Sequence, residues 1–304
     1  MRMRQKTSSP NPQPLTKMFA DSGFGPNSFF SEFSAMPTLV RPCGATLSYL
    51  VRGRGASVVL LLAPGGMRSS ISMWQKQPID LWSFFPDDEF TVVAMDQRNA
   101  TLESPAPLSA TSPATWTTYN EDQLAVVDAA VGNGVPFSIA GSCIGPSYAL
   151  RLMRDVPSRV KRALLLQPIG VAAYTNEPCA PWTGMNTDAT THWFGDWAKE
   201  MEASNRASRT ELDALYTSLF SSAVEGRRKD DPFVFSVLRD DVRSLTQPML
   251  VAAGIDVFHP SQTARDVASL APNATLVEGW RGNNDEIQRM QERIKTFFEI
   301  EKNS

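Results

Sequence analysis

The feature that most constrains the fold of this chain is an alternation of short apolar runs with helical patterns, which begins near residue 37. Continuous Val-, Ile- and Leu-rich runs of this length are typical of strands that are covered on both faces. The alternation predicts an α/β fold with a mostly parallel, doubly wound sheet. The predicted strands are Thr38–Val40, Leu47–Arg52, Val58–Ala63, Phe90–Met95, Phe137–Ala140, Arg162–Leu166, Met249–Ala253 and Ala274–Val277.

The predicted helices lie between these strands. They cover Met73–Phe84, Asn120–Val131, Ser147–Arg154 and Asp285–Phe298. Pro78 falls inside the first of them and predicts that the helix breaks or starts there, because proline cannot donate the backbone hydrogen bond of a helix interior.

The segment 170–244 interrupts the alternation. It is rich in Trp, Met, Asn and Thr and then becomes helical. We interpret it as a cap inserted over the carboxyl edge of the sheet, where α/β proteins bind ligands. The predicted organisation is therefore a flexible arm over 1–36, a core over 37–169 and 245–304, and a cap over 170–244.

The arm has a distinct composition. Its first 20 residues contain four basic residues, three prolines and no acid. The prolines oppose an amphipathic helix and favour a flexible arm, while an organelle transit peptide is the alternative. The three cysteines of the chain (Cys43, Cys143 and Cys179) are an odd, widely spaced set. They argue against a disulfide framework and favour a reducing, cytoplasmic compartment.

Composition also excludes several classes of function. The net charge of −3 gives no chain-wide basic field for nucleic acid or anionic lipid. The longest apolar run near the front, Val58–Ala63, is far shorter than the roughly 20 residues of a membrane span. With two histidines, no Cys-x-x-Cys pair and no phosphate-binding Gly-Lys-Ser/Thr, we expect neither a metal nor a nucleotide cofactor. The expected partner is a small-molecule substrate.

The motif that points to chemistry is Gly-Ser-Cys-Ile-Gly at 141–145. It follows a predicted strand and precedes a predicted helix, which is the context of a nucleophile elbow. Cys143 would stand at the apex of the turn, where the helix N-terminus favours a thiolate. The structural alternative is a buried, inert cysteine beside a Gly-x-x-x-Gly packing motif.

With this motif the chain resembles the α/β-hydrolase superfamily over about residues 38–299. Leu62–Met67 is similar to the oxyanion loop, with Pro-Gly where many members have His-Gly. The resemblance implies that the backbone N–H groups of Gly66 and Ile144 form the oxyanion hole. Met95–Asn99 is similar to the turn after the fourth strand, whose residues brace the oxyanion and elbow loops.

The resemblance also implies a catalytic acid. Gly254–Pro260 is similar to the loop that carries this acid, and Asp256 matches its position. The structural alternative, which is compatible with the catalytic one, is that Asp256 caps the helix beginning at Ser261.

The chain departs from the superfamily at the catalytic histidine. The loop after the last strand has Trp280 or Arg281 where the histidine is expected, and no histidine follows His259. Three alternatives remain. His259 is the base and reaches Cys143 along the same sheet edge, or His192 descends from the cap, or no histidine is used. His192 and Trp280 are also candidate substrate or cap contacts.

The predicted function is hydrolysis by a cysteine nucleophile. Cys143 would attack an ester, thioester, lactone or activated carbon–carbon bond of a small, apolar molecule, while Asp256 orients His259. Two alternatives come from other classes. One is a non-hydrolytic enzyme of the same fold (a lyase, an isomerase or an acyl transferase), and the other is a ligand-binding pseudoenzyme.

Overall fold

The computed structural model describes residues 36–170, 193–220, 234–256 and 258–300, and residues 37–304 group as one unit. The described chain forms eight strands: β1 (Thr38–Val40), β2 (Thr46–Gly53), β3 (Ser57–Leu62), β4 (Phe90–Met95), β5 (Phe137–Ser142), β6 (Val160–Leu166), β7 (Met249–Ala252) and β8 (Ala274–Val277). They form one sheet in the order β1-β2-β4-β3-β5-β6-β7-β8. β2 runs antiparallel to both of its neighbours, and the remaining strands are parallel.

The described α-helices are α1 (Leu81–Phe84), α2 (Trp116–Val131), α3 (Gly145–Asp155), α4 (Trp193–Ala203), α5 (Arg209–Phe220), α6 (Arg239–Ser244), α7 (Ser261–Leu270) and α8 (Asn284–Phe298). Two 3₁₀ segments, Gly66–Arg68 and Ile71–Lys76, follow β3. α1 and α8 contribute to the apolar core on one face of the sheet, and α2, α3 and α7 contribute to the core on the other face. This arrangement confirms the predicted mostly parallel, doubly wound α/β fold.

The central strand β3 shows why the sheet is apolar on both faces. Leu60 and Leu62 point into the core with α2 and α3, whereas Val59 and Leu61 point into the core with α1 and α8. All four side chains are fully buried. The sequence of a strand between two helical layers is therefore continuously apolar and does not alternate between apolar and polar residues.

Two predicted helices differ from the observed ones by more than two residues. The segment predicted as one helix over 73–84 forms the 3₁₀ segment Ile71–Lys76 and the short helix α1, with Pro78 between them. α2 begins four residues before its predicted start at Asn120, because Thr115 and Thr118 form a capping box. The two hydroxyls satisfy free backbone N–H groups of the first turn.

The helical insertion is present, and its helix α4 lies at the carboxyl edge of the sheet. α4 contacts the 3₁₀ segment after β3, where Arg68 and Glu200 form an ion pair of 2.7 Å. The indole N–H of Trp197 also donates to the carbonyl of Asn99, beyond the end of β4. Residues 171–192 and 221–233 of the predicted cap lie outside the described residues, as does all of the predicted arm before Met36.

We find no helix in the described part of the chain that is long and apolar enough to cross a membrane.

Candidate active site

The elbow after β5 holds Cys143 in a strained backbone conformation. Its φ of +61° lies in the left-handed region, which non-glycine residues rarely adopt. The amide of Cys143 donates to the carbonyl of Leu166 (3.0 Å), and its own carbonyl accepts from the amide of Ile169 (3.2 Å). These bonds fix the elbow to the end of β6. Such strain persists only where the surroundings impose it, and it is concentrated at functional sites.

The glycines of the elbow motif are required by close backbone contacts. A Cβ on Gly145 would lie 2.3 Å from the carbonyl oxygen of Leu62, and one on Gly141 would lie 2.6 Å from the carbonyl carbon of Gly145. Any larger residue would push α3 away from β3 and β5. The two glycines therefore allow the sharp turn that presents Cys143 at the start of α3.

The loop after β7 brings His259 to the elbow. Nδ1 of His259 lies 2.7 Å from Oδ1 of Asp256, and the ring also interacts with the sulfur of Cys143. Nε2 is buried and makes no well-aligned hydrogen bond within the described chain. Such a looser contact is common without substrate, because catalytic hydrogen bonds tighten as the complex forms. The structure thus brings Cys143, His259 and Asp256 together in that order.

The electrostatics of the site favour an ion pair between the Cys143 thiolate and the His259 imidazolium. Burial alone would raise the pKa of Cys143, but the His259 imidazolium and the N–H groups of Gly65 and Ile144 outweigh it and lower the pKa. Burial would lower the pKa of His259, but the Cys143 thiolate and the Asp256 carboxylate raise it to about 9. Because each charge stabilises the other, the site favours the thiolate–imidazolium pair more than solvent would favour the same two groups.

Asp256 is held by its own loop and by a neighbouring one. Burial alone would raise its pKa, but hydrogen bonds from His259, Arg281 and the amide of Phe258 lower it well below the usual range. Asp256 therefore remains ionised at every pH at which the ion pair between Cys143 and His259 exists. Asp256 does not cap α7, because the N-cap of that helix is Pro260.

The N–H groups that reach the sulfur belong to Gly65 and Ile144. Ile144 is one of the two predicted oxyanion donors. Gly65 precedes the other predicted donor, Gly66, by one residue and was missed by the sequence analysis. Since an oxyanion occupies a different position from the sulfur, the assignment of Gly66 stays a prediction.

The turn after β4 braces the segment that follows the oxyanion loop. Asp96 accepts from the amide of Ile71 (2.8 Å) and from the hydroxyl of Thr101 (2.9 Å). The amide of Gln97 donates to the carbonyl of Ser69 (3.0 Å). These contacts give the turn the bracing position that the resemblance implies.

The last loop, where a histidine was expected, contributes an arginine to the site. Nη2 of Arg281 donates to Oδ2 of Asp256 (2.5 Å), a contact that the sequence analysis did not predict. Trp280, predicted as a candidate substrate contact, is 2% exposed, and its Nε1 donates to the carbonyl of Ala253 (2.8 Å). Its described contacts are those of a core residue. His192 lies outside the described residues.

Gly254 sets the position of His259. A Cβ at residue 254 would lie 2.2 Å from the carbonyl oxygen of His259 and 2.3 Å from its Cβ. Gly254→Ala must therefore displace the histidine. We expect a stability loss of about 1–3 kcal/mol from overpacking, and a fall in activity of about 10²-fold, because displacements near 1 Å can have that effect.

A glycine remote from the site gives the matched control for this prediction. Gly134 has a φ of +78° and no atom within 4 Å of an added Cβ. Gly134→Ala should lower the melting temperature through backbone strain but leave the turnover number unchanged. Equal activity in Gly254→Ala and Gly134→Ala would show that residue 254 does not position the base.

Comparison with known proteins supports the fold of the chain. No family model matches the sequence, and no curated protein matches it. Solved structures do match. A hydrolase from Pseudomonas aeruginosa has 19% identity and a TM-score of 0.60, and the match covers 87% of this chain and 98% of the other. The enol-lactonase from Burkholderia xenovorans has 17% identity and a TM-score of 0.59, and the match covers 87% of this chain and 100% of the other. A meta-cleavage product hydrolase from Pseudomonas fluorescens also matches, with 17% identity and a TM-score of 0.56, over 86% of this chain and 97% of the other. The chain therefore has the α/β-hydrolase fold.

Proposed function

We propose that this protein is a hydrolase in which Cys143 is the nucleophile, His259 the general base and acid, and Asp256 the residue that orients the base. One observation carries the proposal: a cysteine at a strained strand-to-helix elbow contacts a histidine whose other nitrogen is hydrogen-bonded to a carboxylate. This is the arrangement of nucleophile, base and orienting group that defines a catalytic triad.

In the first half of the proposed reaction, the Cys143 thiolate attacks the carbonyl carbon of the substrate. The carbonyl electron pair moves to oxygen, and the resulting oxyanion accepts hydrogen bonds from the amide of Ile144 and from the glycine loop after β3. The tetrahedral intermediate then collapses, and His259 gives its proton to the leaving oxygen, sulfur or carbon. The products of this half are an acyl-thioester on Cys143 and the protonated leaving group.

In the second half, His259 is neutral and takes a proton from water. The hydroxide attacks the thioester carbonyl, the carbon–sulfur bond breaks, and the carboxylic acid leaves. Its proton is lost to solvent, and the thiolate–imidazolium pair is regenerated. Asp256 stays ionised throughout and stabilises the imidazolium.

The substrate class is proposed as a small ester, thioester, lactone or activated carbon–carbon bond. Two structural neighbours are described as an enol-lactonase and a meta-cleavage product hydrolase. The insertion carries a cluster of aromatic residues, in which Phe194 lies within ring-contact distance of Trp197, Tyr216 and Phe220. These rings belong to the apolar core against which Cys143 packs. This setting favours apolar substrates.

The covalent intermediate provides the direct test. The protein would be mixed with a panel of activated aryl esters, aryl thioesters and enol lactones, quenched in acid, and digested for mass spectrometry. We expect an acyl group on the peptide that contains Cys143 and release of acid in the steady state. Turnover without an adduct, or unchanged turnover in Cys143→Ala, would contradict the proposal. An adduct passed only to a second nucleophile would instead indicate an acyl transferase.

Alkylation gives a test that needs no substrate. We expect iodoacetamide to modify Cys143 at pH 6–7 faster than it modifies Cys43, although Cys43 is the more exposed thiol. The reason is that the thiolate is the reactive species, and the lowered pKa of Cys143 increases the fraction of its thiol that is ionised at this pH. Peptide masses separate the cysteines. Slower modification of Cys143 would indicate a relic thiol and favour the ligand-binding alternative.

A further inference from the structure

Asp256 connects two loops that follow different strands. Its partner His259 belongs to the same loop after β7, whereas Arg281 comes from the loop after β8. The loop after β8 is where the superfamily places its histidine. In this chain that loop does not supply the base, and it instead supplies a cation to the acid that orients the base.

The two oxygens of Asp256 have separate partners. Oδ1 accepts three hydrogen bonds from its own loop, from Nδ1 of His259 (2.7 Å) and from the amides of His259 (3.1 Å) and Phe258 (3.0 Å). Oδ2 accepts from Nη2 of Arg281 at 2.5 Å. Among the described residues, Arg281 is thus the side chain that fixes the second oxygen and with it the plane of the carboxylate.

The guanidinium of Arg281 is itself held in place. It lies over the ring of Trp280, 5.6 Å from the ring centroid, and that indole is anchored to the carbonyl of Ala253 at the end of β7. Nε of Arg281 is buried and has no hydrogen-bond partner in the described part of the chain. Within the described chain, the hydrogen bond that Arg281 makes is the one to Asp256.

We propose that Arg281 is a positioning residue that fixes the Asp256 carboxylate and, through it, sets both the orientation and the basicity of His259. This inference rests on the proposed function for its effect on turnover. Its effect on the proton affinity of His259 is independent of any substrate. Residues that hold the ligands of metal sites in this way typically change activity by about 10- to 100-fold when they are removed, and we expect an effect of similar size for Arg281.

The direction in which Arg281 changes the pKa of His259 follows from the charged groups around Asp256 and His259. The charged groups that face Asp256 within the described chain are His259 and Arg281, and those that face His259 are Asp256 and Cys143. Arg281 neutralises part of the Asp256 charge. Without Arg281, the carboxylate would stabilise the imidazolium more strongly, and the pKa of His259 would rise.

The test compares Arg281→Gln and Arg281→Lys by proton NMR. The chain has only two histidines, so His259 can be assigned with one His192→Gln variant. We expect Arg281→Gln to raise the pKa of His259 by about half a unit or more, and to lower turnover about 10- to 100-fold. Arg281→Lys should return the pKa towards the wild-type value but restore turnover only in part, because an ammonium lacks the planar fork.

Arg265→Gln is the matched control. Arg265 on α7 forms an ion pair of 2.7 Å with Glu278, and this pair also joins the last loop to the region after β7. Its removal should change neither the pKa of His259 nor turnover. The proposal is overturned if Arg281→Gln, shown to be folded by thermal melting, leaves the His259 pKa unchanged, or if Arg265→Gln moves it equally. A shifted pKa in a protein that hydrolyses nothing would uphold the role of Arg281 and refute the proposed function.

Discussion

Replacing Cys143 with alanine is expected to reduce turnover by at least about 10³-fold, the largest effect of any single substitution in this protein. The variant cannot form the bond to the acyl carbon, and the remaining oxyanion donors supply only residual catalysis. The measurement is steady-state hydrolysis of the best substrate from the ester, thioester and lactone panel. Mass spectrometry should find no acyl adduct on the 141–145 peptide.

Cys143→Ser separates the chemistry of sulfur from the shape of the elbow. Both residues have the same shape at the apex, but a hydroxyl is far less acidic than a thiol. We expect strongly reduced turnover, because His259 must then remove a proton from a hydroxyl, which ionises far less readily than a thiol. Thermal melting should differ little among the three proteins, since no large side chain is removed. Full activity in Cys143→Ala would place the chemistry elsewhere.

The fold could be predicted because its signals are local and repeated. β3 is apolar along its length, since helices cover both faces of the sheet, and β5 is recognisable from the same pattern. Neither inference needs to know how distant parts of the chain meet. The predictions that differed from the structure concerned where helices begin and end. The hydroxyls of Thr115 and Thr118 extended α2, and Pro78 divided a segment that was predicted as one helix.

The elbow could also be read from the sequence, for the same reason. Its strand, turn and helix are consecutive, and the close approach of Gly145 to Leu62 requires a residue without a side chain. The base could not be decided in this way. Whether His259 or His192 serves Cys143 depends on how loops after different strands meet, and spacing along the chain does not encode that distance.

The contact between Arg281 and Asp256 had no sequence signal, because the residues are 25 positions apart and an arginine in a surface loop is ordinary. Its physical effect is nevertheless specific. A triad acid usually has one cationic partner, the imidazolium. In the proposed triad Asp256 has two, His259 and Arg281. We propose that the second one orients the carboxylate from its other side and limits how strongly Asp256 raises the basicity of His259. Without Arg281 the imidazolium would hold its proton still more tightly and would return it to the leaving group less readily.

The second of the two largest effects is expected at the base. His259→Ala should lower turnover by about 10²- to 10⁴-fold near neutral pH, the usual contribution of a general base. Its imidazolium opposes the effect of burial on Cys143, so its removal raises the pKa of the thiol. The loss in acylation should therefore shrink as pH rises above about 8.5, where solvent begins to supply the thiolate. Acyl-adduct formation measured from pH 6 to 10 gives the profile.

The controls for His259→Ala identify the base among the alternatives that the sequence leaves open. Asp256→Asn should produce the same pH-dependent loss more weakly, because an orienting acid fixes the tautomer and the ring direction but does not take the proton. His192→Ala should change substrate affinity alone. A pH-dependent rate loss in His192→Ala but not in His259→Ala would make the insertion histidine the base. If neither variant loses activity while Cys143→Ala is inactive, the thiolate forms without a histidine, and the interaction between Cys143 and His259 is structural.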